Sequence, residues 1–279
     1  MRGWMCAVLV AALALALVGA TQPVPAQAEE GVPLPVLMYH ALSRDASSWN
    51  DYVISPEVLE ADLAALRARG YTPVLPSQVV AFVRQGEPLP EKPVMITLDD
   101  GFRSHLTELV DVLERQDAVA LVSVVGAYAQ QADAMEEEAR RGYAYLTGEE
   151  IQKLVETGRV EVGNHSFDLH ALGQRRGAMR CAKEDMESYR HVLTHDARKA
   201  QDYLAVWCGA APQVYTYPYG LISDGADAIL QKEGFAMTLS CYERVTRLTH
   251  EEDCLLSVGR FNRPAFESTE AFLRRCGIA

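Results

Sequence analysis

None of the six cysteines is spaced two residues from another, no Gly-x-Ser-x-Gly segment occurs, and no stretch repeats at a fixed period. The first absence argues against a thiolate metal site, the second against a serine-hydrolase elbow, the third against a solenoid or propeller. Cations are also scarce: 26 Lys and Arg face 38 Asp and Glu, a formal charge of −12. A nucleic acid or an anionic membrane surface is therefore disfavoured as a partner, because binding phosphates takes clustered basic residues. The apolar run from Ala7 to Val18 is shorter than the ~20 residues a membrane span needs.

That run fits a different purpose. Arg2 precedes it and the small-x-small segment Ala26-Gln27-Ala28 follows it, the arrangement of a secretory signal over residues 1–28, with a cut after Ala20 or retention as a short membrane anchor as the alternatives. Cys6 lies ahead of the run rather than after it, which argues against a lipoprotein anchor. The chain is thus expected to be secreted or extracytoplasmic, with residues 29–279 as one domain of a size common for α/β barrels. Five cysteines remain after cleavage: Cys181, Cys208, Cys241, Cys254 and Cys276. In an oxidising compartment that odd count predicts up to two disulfides, at least one of them formed, and one spare thiol.

Apolar runs of strand length alternate with helical patterns throughout, which predicts an α/β fold with a mostly parallel sheet or barrel. Expected strands are Leu34 to His40, Val94 to Leu98, Val119 to Val125, Val160 to Gly163, Gln213 to Tyr217, Phe235 to Cys241 and Leu255 to Gly259. Ser55-Pro56-Glu57 caps and opens a helix that Gly70 ends, and Thr147-Gly148-Glu149-Glu150 is a capping box for a helix ending at Gly158. Helices are also expected from Ser104 to Arg115 and from Lys183 to Val206. His40, Asp99, Asp100, His165 and Tyr217-Pro218-Tyr219 each follow a predicted strand. In a parallel sheet such strand ends share one face, so these distant residues are expected to converge.

Adjacent acids such as Asp99 and Asp100 repel unless a cation or a shared proton relieves them, although Asp-Gly is also a common turn. His165 and His170, five apart, can point at one ion if the first sits in a loop and the second in the following turn. With one aspartate they supply the three His and carboxylate ligands of a zinc-type catalytic site, leaving positions open for water and substrate. Ser166 and Asp168 are then supporting or capping residues.

Taken in order, these segments resemble the polysaccharide deacetylases of carbohydrate esterase family four, from about Pro35 to Arg260. Thr97-Leu98-Asp99-Asp100-Gly101 matches the first family motif, His165-Ser166-Phe167-Asp168-Leu169-His170 the second, and Tyr217-Pro218-Tyr219-Gly220 resembles the third. The resemblance implies a distorted (β/α) barrel, a Zn²⁺-type ion (or another divalent transition metal such as Co²⁺) on Asp100, His165 and His170, and Asp99 as catalytic base. It also implies an oxyanion contact from the Tyr219 backbone N–H and an N-acetylglucosamine-containing polysaccharide as substrate. O-deacetylation, for example of acetylated xylan, and an inactive carbohydrate-binding relative are the competing readings.

Three departures stand out. Leu98 replaces the usual phenylalanine, and Thr216 stands where the third motif commonly has an arginine that orients the catalytic Asp. Arg260, after a late predicted strand, is either its replacement or an ordinary surface arginine. The Leu-x-His motif that usually supplies the general acid is not evident near the C-terminus, whereas Val36-Leu37-Met38-Tyr39-His40 resembles the permuted subset that includes poly-N-acetylglucosamine deacetylases. His40 is accordingly expected to be the general acid, with His105, His191, His195 and His250 as the alternatives.

Overall fold

A computed structural model describes residues 31–140, 142 and 144–279; the signal expected at 1–28 lies outside them. In chain order the strands are β1 (Val32–Leu34), β2 (Val36–Tyr39), β3 (Ala41–Leu42), β4 (Val53–Ile54), β5 (Thr72–Pro73), β6 (Pro93–Leu98), β7 (Ala120–Val124), β8 (Val160–Asn164), β9 (Val214–Thr216), β10 (Met237–Leu239), β11 (Thr246–Leu248) and β12 (Phe261–Asn262). The helices are α1 (Pro56–Ala68), α2 (Pro76–Gln85), α3 (Val110–Gln116), α4 (Gly126–Asp133), α5 (Glu137–Arg140), α6 (Gly148–Glu156), α7 (Met186–Cys208), α8 (Ala226–Lys232) and α9 (Thr269–Arg275).

Local chemistry sets many of these boundaries. The Ser55 side chain accepts the Val58 N–H at 3.2 Å, Pro56 occupies the first helical turn, and α1 turns Leu59, Leu63 and Leu66 inward. The Thr147 capping box forms as expected, with the Thr147 hydroxyl on the Glu150 N–H and the Glu150 carboxylate on the Thr147 N–H. The stretch from Ser104 departs from a plain helix: His105–Leu109 is a wider π turn that leads into α3. The expected strand from Leu34 to His40 divides at Pro35, whose ring nitrogen cannot donate to a ladder. β1 pairs antiparallel with β11 and β2 joins the main sheet.

The main sheet runs β10-β9-β8-β7-β6-β2-β12 with every pair parallel, and β5 adds to β6 near its start. It is a distorted (β/α) barrel, as expected. Its strands are apolar on both faces, β6 and β7 being buried along their whole length, as a sheet covered by helices requires.

The barrel closes through an irregular segment rather than the strand expected from Leu255 to Gly259. Leu255 ends a short 3-10 turn, Ser257 is left-handed (φ 50°), and Val258 makes a single parallel bridge to Leu239. The Ser257 N–H donates to the Thr238 hydroxyl at 2.6 Å and the Ser257 hydroxyl to Asp227 at 2.6 Å. Those side-chain bonds displace a ladder. The chain then crosses to the other edge of the sheet, where Phe261 and Asn262 pair with Leu37 and Met38.

The expectation of disulfides is corrected. All five described cysteines are free thiols, and their surroundings differ. Cys276 belongs to the packed core, Cys254 approaches the Thr249 carbonyl, and Cys241 lies 3.8 Å from the Met38 sulfur. Bridging requires two Cβ atoms about 3.5–4.5 Å apart, a condition set by tertiary packing rather than by an even or odd count. Among the described residues no helix is long and apolar enough to cross a membrane.

A second closure lies beneath the first. Asp62 on α1 is fully buried and accepts from Arg263 Nε at 2.7 Å, Thr269 Oγ1 at 2.6 Å and Tyr39 Oη at 3.2 Å. Removing one partner of a buried pair costs about 3–5 kcal/mol. Asp62→Ala should lower the unfolding free energy by that order in denaturant titration; a loss below about 1 kcal/mol would show that the carboxylate is dispensable to closure.

Candidate active site

At the C-terminal edge of the sheet, residues following β2, β6, β8, β9 and β10 line one cavity of about 580 Å³. Its walls include His40, Asp99, Asp100, His165, His170 and Tyr219, so the expected convergence of these positions is what the topology produces. The other candidates for the acid do not line this cavity. His105 is fully buried and donates from Nε2 to the His40 carbonyl at 3.0 Å, His191 and His195 lie on α7, and His250 contacts the Phe82 carbonyl.

The two adjacent carboxylates have different partners. The Asp99 N–H continues the ladder to the Tyr39 carbonyl at 3.0 Å, after which Asp100 and Gly101 both adopt left-handed backbone (φ 74° and 75°). Gly101 suits that turn, since an added Cβ would meet Val124 at 3.0 Å. Asp100 accepts the conformation at a cost of roughly 1 kcal/mol, a kind of strain that collects at functional sites.

Arg260 resolves the alternative left by sequence. It has no exposed surface and binds Asp99 through two parallel bonds, Nη1 to Oδ1 at 2.7 Å and Nη2 to Oδ2 at 2.8 Å. Nε donates to the Ser240 carbonyl at 2.8 Å and Nη1 also reaches the Thr97 hydroxyl at 3.2 Å. Thr216, where a family arginine was absent, instead pairs its hydroxyl with Ser123 at 2.6 Å. Burial pushes the Asp99 carboxyl up, but the Arg260 guanidinium and then His165 outweigh it and hold the pKa below the usual carboxylate range.

Asp100 Oδ1, His165 Nε2 and His170 Nε2 converge as a group able to hold a metal ion. Asp100 Oδ1 lies 3.5 Å from His165 Nε2 and 3.1 Å from His170 Nε2, yet this buried oxygen has no well-formed hydrogen bond. The His165 ring explains part of this. Its Nδ1 stands 2.7 Å from the Thr216 carbonyl, which can only accept, so Nδ1 carries the proton. A neutral ring then aims its Nε2 lone pair at the carboxylate, an arrangement that a proton or a cation relieves. Burial works to lower the His165 pKa, and the carboxylates of Asp100 and Asp99 reverse it to a net rise. The field that draws a proton here would draw a divalent cation equally, so the donor set fits an ion with His and carboxylate ligands.

The loop has a support beyond the residues expected from sequence. Asp196 of α7 is buried and its two oxygens accept the Phe167 and Asp168 N–H groups, each at 2.8 Å. Asn164 adds a bond from the Ser166 N–H at 2.9 Å and donates to the Ala197 carbonyl at 2.9 Å. Asp168 itself is exposed and the Ser166 hydroxyl is buried without a partner, so the capping expected of these two is done by Asp196 and Asn164. A signal existed: Asp196 interrupts the buried face of α7 formed by Tyr189, Leu193, Ala197, Ala200 and Leu204.

The fold and donor set define an α/β barrel with a His and carboxylate group able to hold a cation beside a buried, arginine-locked carboxylate. A sequence model described as polysaccharide deacetylase matches residues 86–238, more than half of the chain, and the chain belongs to that family. The matched segment contains Asp99, Asp100, His165, His170 and Tyr219, while His40 and Arg260 lie outside it. The chain is 26% identical over 220 residues to a poly-beta-1,6-N-acetyl-D-glucosamine N-deacetylase of Escherichia coli K12, covering 72% of this chain and 33% of that protein. To the protein of the same name from Staphylococcus aureus NCTC 8325 it is 20% identical over 194 residues, 70% of this chain and 63% of the other. The chain thus spans a third to just under two thirds of these curated relatives. Among solved structures, IcaB from Ammonifex degensii superposes with a TM-score of 0.69 at 25% identity, covering 88% of this chain and 97% of that one. Streptococcus pyogenes deacetylase PplD, in complex with acetate, shares the fold at the same TM-score and 19% identity, covering 88% and 99%.

The buried pair yields a test of its own. Arg260→Met leaves a buried carboxylate unpaired and should cost about 3–5 kcal/mol at neutral pH. Because the folded-state pKa of Asp99 is depressed, this stabilisation is present above the unfolded value of ~3.9 and is lost as pH falls through the folded one. Thermal melts of wild type and variant should therefore diverge at pH 7 and draw together in strong acid; identical melting at pH 7 would exclude the pair as a stabilising element.

Proposed function

We propose that the chain is a metal-dependent hydrolase that removes N-acetyl groups from an N-acetylglucosamine-containing polysaccharide, acting outside the cytoplasm after removal of residues 1–28. The observation that carries this reading is the convergence of Asp100, His165 and His170 beside Asp99 at the floor of one cavity. The naming of its relatives as poly-beta-1,6-N-acetyl-D-glucosamine N-deacetylases supports the substrate class. The basic, apolar and small-x-small order of residues 2–28 supports export. Residues 29–279 form the catalytic domain in this reading.

A divalent cation such as Zn²⁺ or Co²⁺ on those three residues would lower the pKa of a water and polarise the acetyl carbonyl. Asp99 takes the proton of the attacking water, and its lock on Arg260 keeps it ionised and aimed. Tyr219, in left-handed backbone (φ 58°) on the cavity wall, offers its N–H to the oxyanion. The amide nitrogen leaves poorly unless protonated, and His40 supplies that proton. Its Nδ1 is buried and without a protein partner, and the ring lines the cavity. Burial lowers the His40 pKa, against the pull of Asp99 and Asp100. The imidazolium is thereby a stronger acid, and activity should decline as pH rises through this lowered pKa.

Two experiments separate these roles. Chelation should abolish acetate release and added Zn²⁺ or Co²⁺ restore it; Asp100→Ala should lose metal stoichiometry, while Asp99→Asn should keep the metal and lose most turnover. Full activity in a verified metal-free preparation would end the hydrolytic mechanism, and the reverse pattern would exchange the two aspartates. His40→Ala should bind metal normally and lose on the order of 10²-fold to 10⁴-fold in turnover. A smaller loss is expected on an acetyl ester with a good leaving group; near-normal turnover on the N-acetyl substrate would remove His40 from the mechanism.

A further inference from the structure

The floor of the cavity is charged, but part of its rim is apolar and exposed. Tyr52 leaves 59% of its surface to solvent, Leu172 59% and Tyr219 39%. A single exposed aromatic needs no explanation, whereas several around one concave site mark a ligand-binding groove.

Tyr52 is the most informative of the three because its backbone is held on every side. Its N–H donates to Asn50 Oδ1 at 2.7 Å and its carbonyl accepts the Ala41 N–H at 3.1 Å. The carbonyl of Asp51 accepts from Asn262 Nδ2 at 2.8 Å, and that of Asn50 from the Ala265 N–H at 3.0 Å. The loop is thus tied both to β3 and to the segment that follows β12. The ring also meets His40 edge to face, with centroids 5.0 Å apart at 76°. A loop tied down by backbone bonds therefore presents a more than half-exposed aromatic ring on the cavity wall, beside the residue assigned to protonate the departing amine.

An aromatic face fixed in this way matches a pyranose ring, whose axial C–H groups form an apolar face while its hydroxyl and acetamido groups project from the edge. We propose that Tyr52 is the stacking platform that seats the sugar ring bearing the reacting acetamido group, an inference that rests on the proposed deacetylase reading. Ordering costs little, because the backbone is already fixed and only two side-chain torsions remain. Stacking binds the ground state and the transition state alike, so its loss falls on KM rather than on kcat.

The experiment compares wild type, Tyr52→Ala and Tyr52→Trp, each metal-loaded, with an N-acetylglucosamine tetramer. Calorimetry gives Kd, and acetate release gives KM and kcat. Tyr52→Ala should raise Kd and KM about fivefold to tenfold with kcat kept within about twofold, and Tyr52→Trp should recover most of the affinity. Unchanged Kd and KM in Tyr52→Ala would overturn the platform. So would a fall in kcat at constant KM, which would assign the ring to holding His40. Wild type that binds the tetramer without releasing acetate would defeat the deacetylase reading while Kd still judged Tyr52; wild type that does not bind the tetramer would defeat the stacking site.

Discussion

A guanidinium with no exposed surface grips the Asp99 carboxylate through two parallel hydrogen bonds and ties the segment that closes the barrel to the end of β6. Arg260 lies on the segment that leaves the Val258 bridge to β10 and reaches β12 at the opposite edge of the sheet. Burying two charges is costly unless each is fully partnered. Here the partners are Thr97 within β6, Asp99 just after it and Ser240 just after β10. Three residues later Arg263 repeats the device with Asp62 of α1. The crossing chain is therefore pinned twice, and the same contact that closes the barrel aims the carboxylate proposed as the base.

The geometry also separates two neighbouring acids that would otherwise repel. A left-handed turn at Asp100 and Gly101 lets Asp99 face Arg260 while Asp100 faces the two histidines. Asp99 is then satisfied within the protein. Asp100 is not: burial raises its pKa, yet His165 and His170 draw it well below the usual range, and one oxygen remains without a well-formed bond. The histidine loop opposite is held from behind by Asp196 and Asn164, so the loop that carries both imidazoles is fixed by bonds to its backbone.

Much of this was legible along the chain because its causes are local. The N-caps at Ser55 and Thr147 act within one helical turn. The strand runs at β6 and β7 declare themselves by their largely apolar character, and the polar residues that follow β6 mark the functional edge. Asp99, Asp100, His165 and His170 could thus be nominated together, since parallel strands leave a single face for all four.

The sequence by itself determined the main apolar strand runs such as β6 and β7, the capped starts of α1 and α6, the face on which the chemistry gathers, and the residue types available there. Only the tertiary structure decided the fate of Arg260, which finds Asp99 across 161 positions, and of the cysteines, whose thiols pack in separate surroundings. It likewise moved the last strand from Leu255–Gly259 to Phe261–Asn262, because Ser257 bonds with Thr238 and Asp227 outcompete a ladder. Apolar pattern and capping act over a few residues and are written in the chain. Which distant side chains come within hydrogen-bonding range depends on strand register and on the path of the crossing, and these exist only once the barrel has closed.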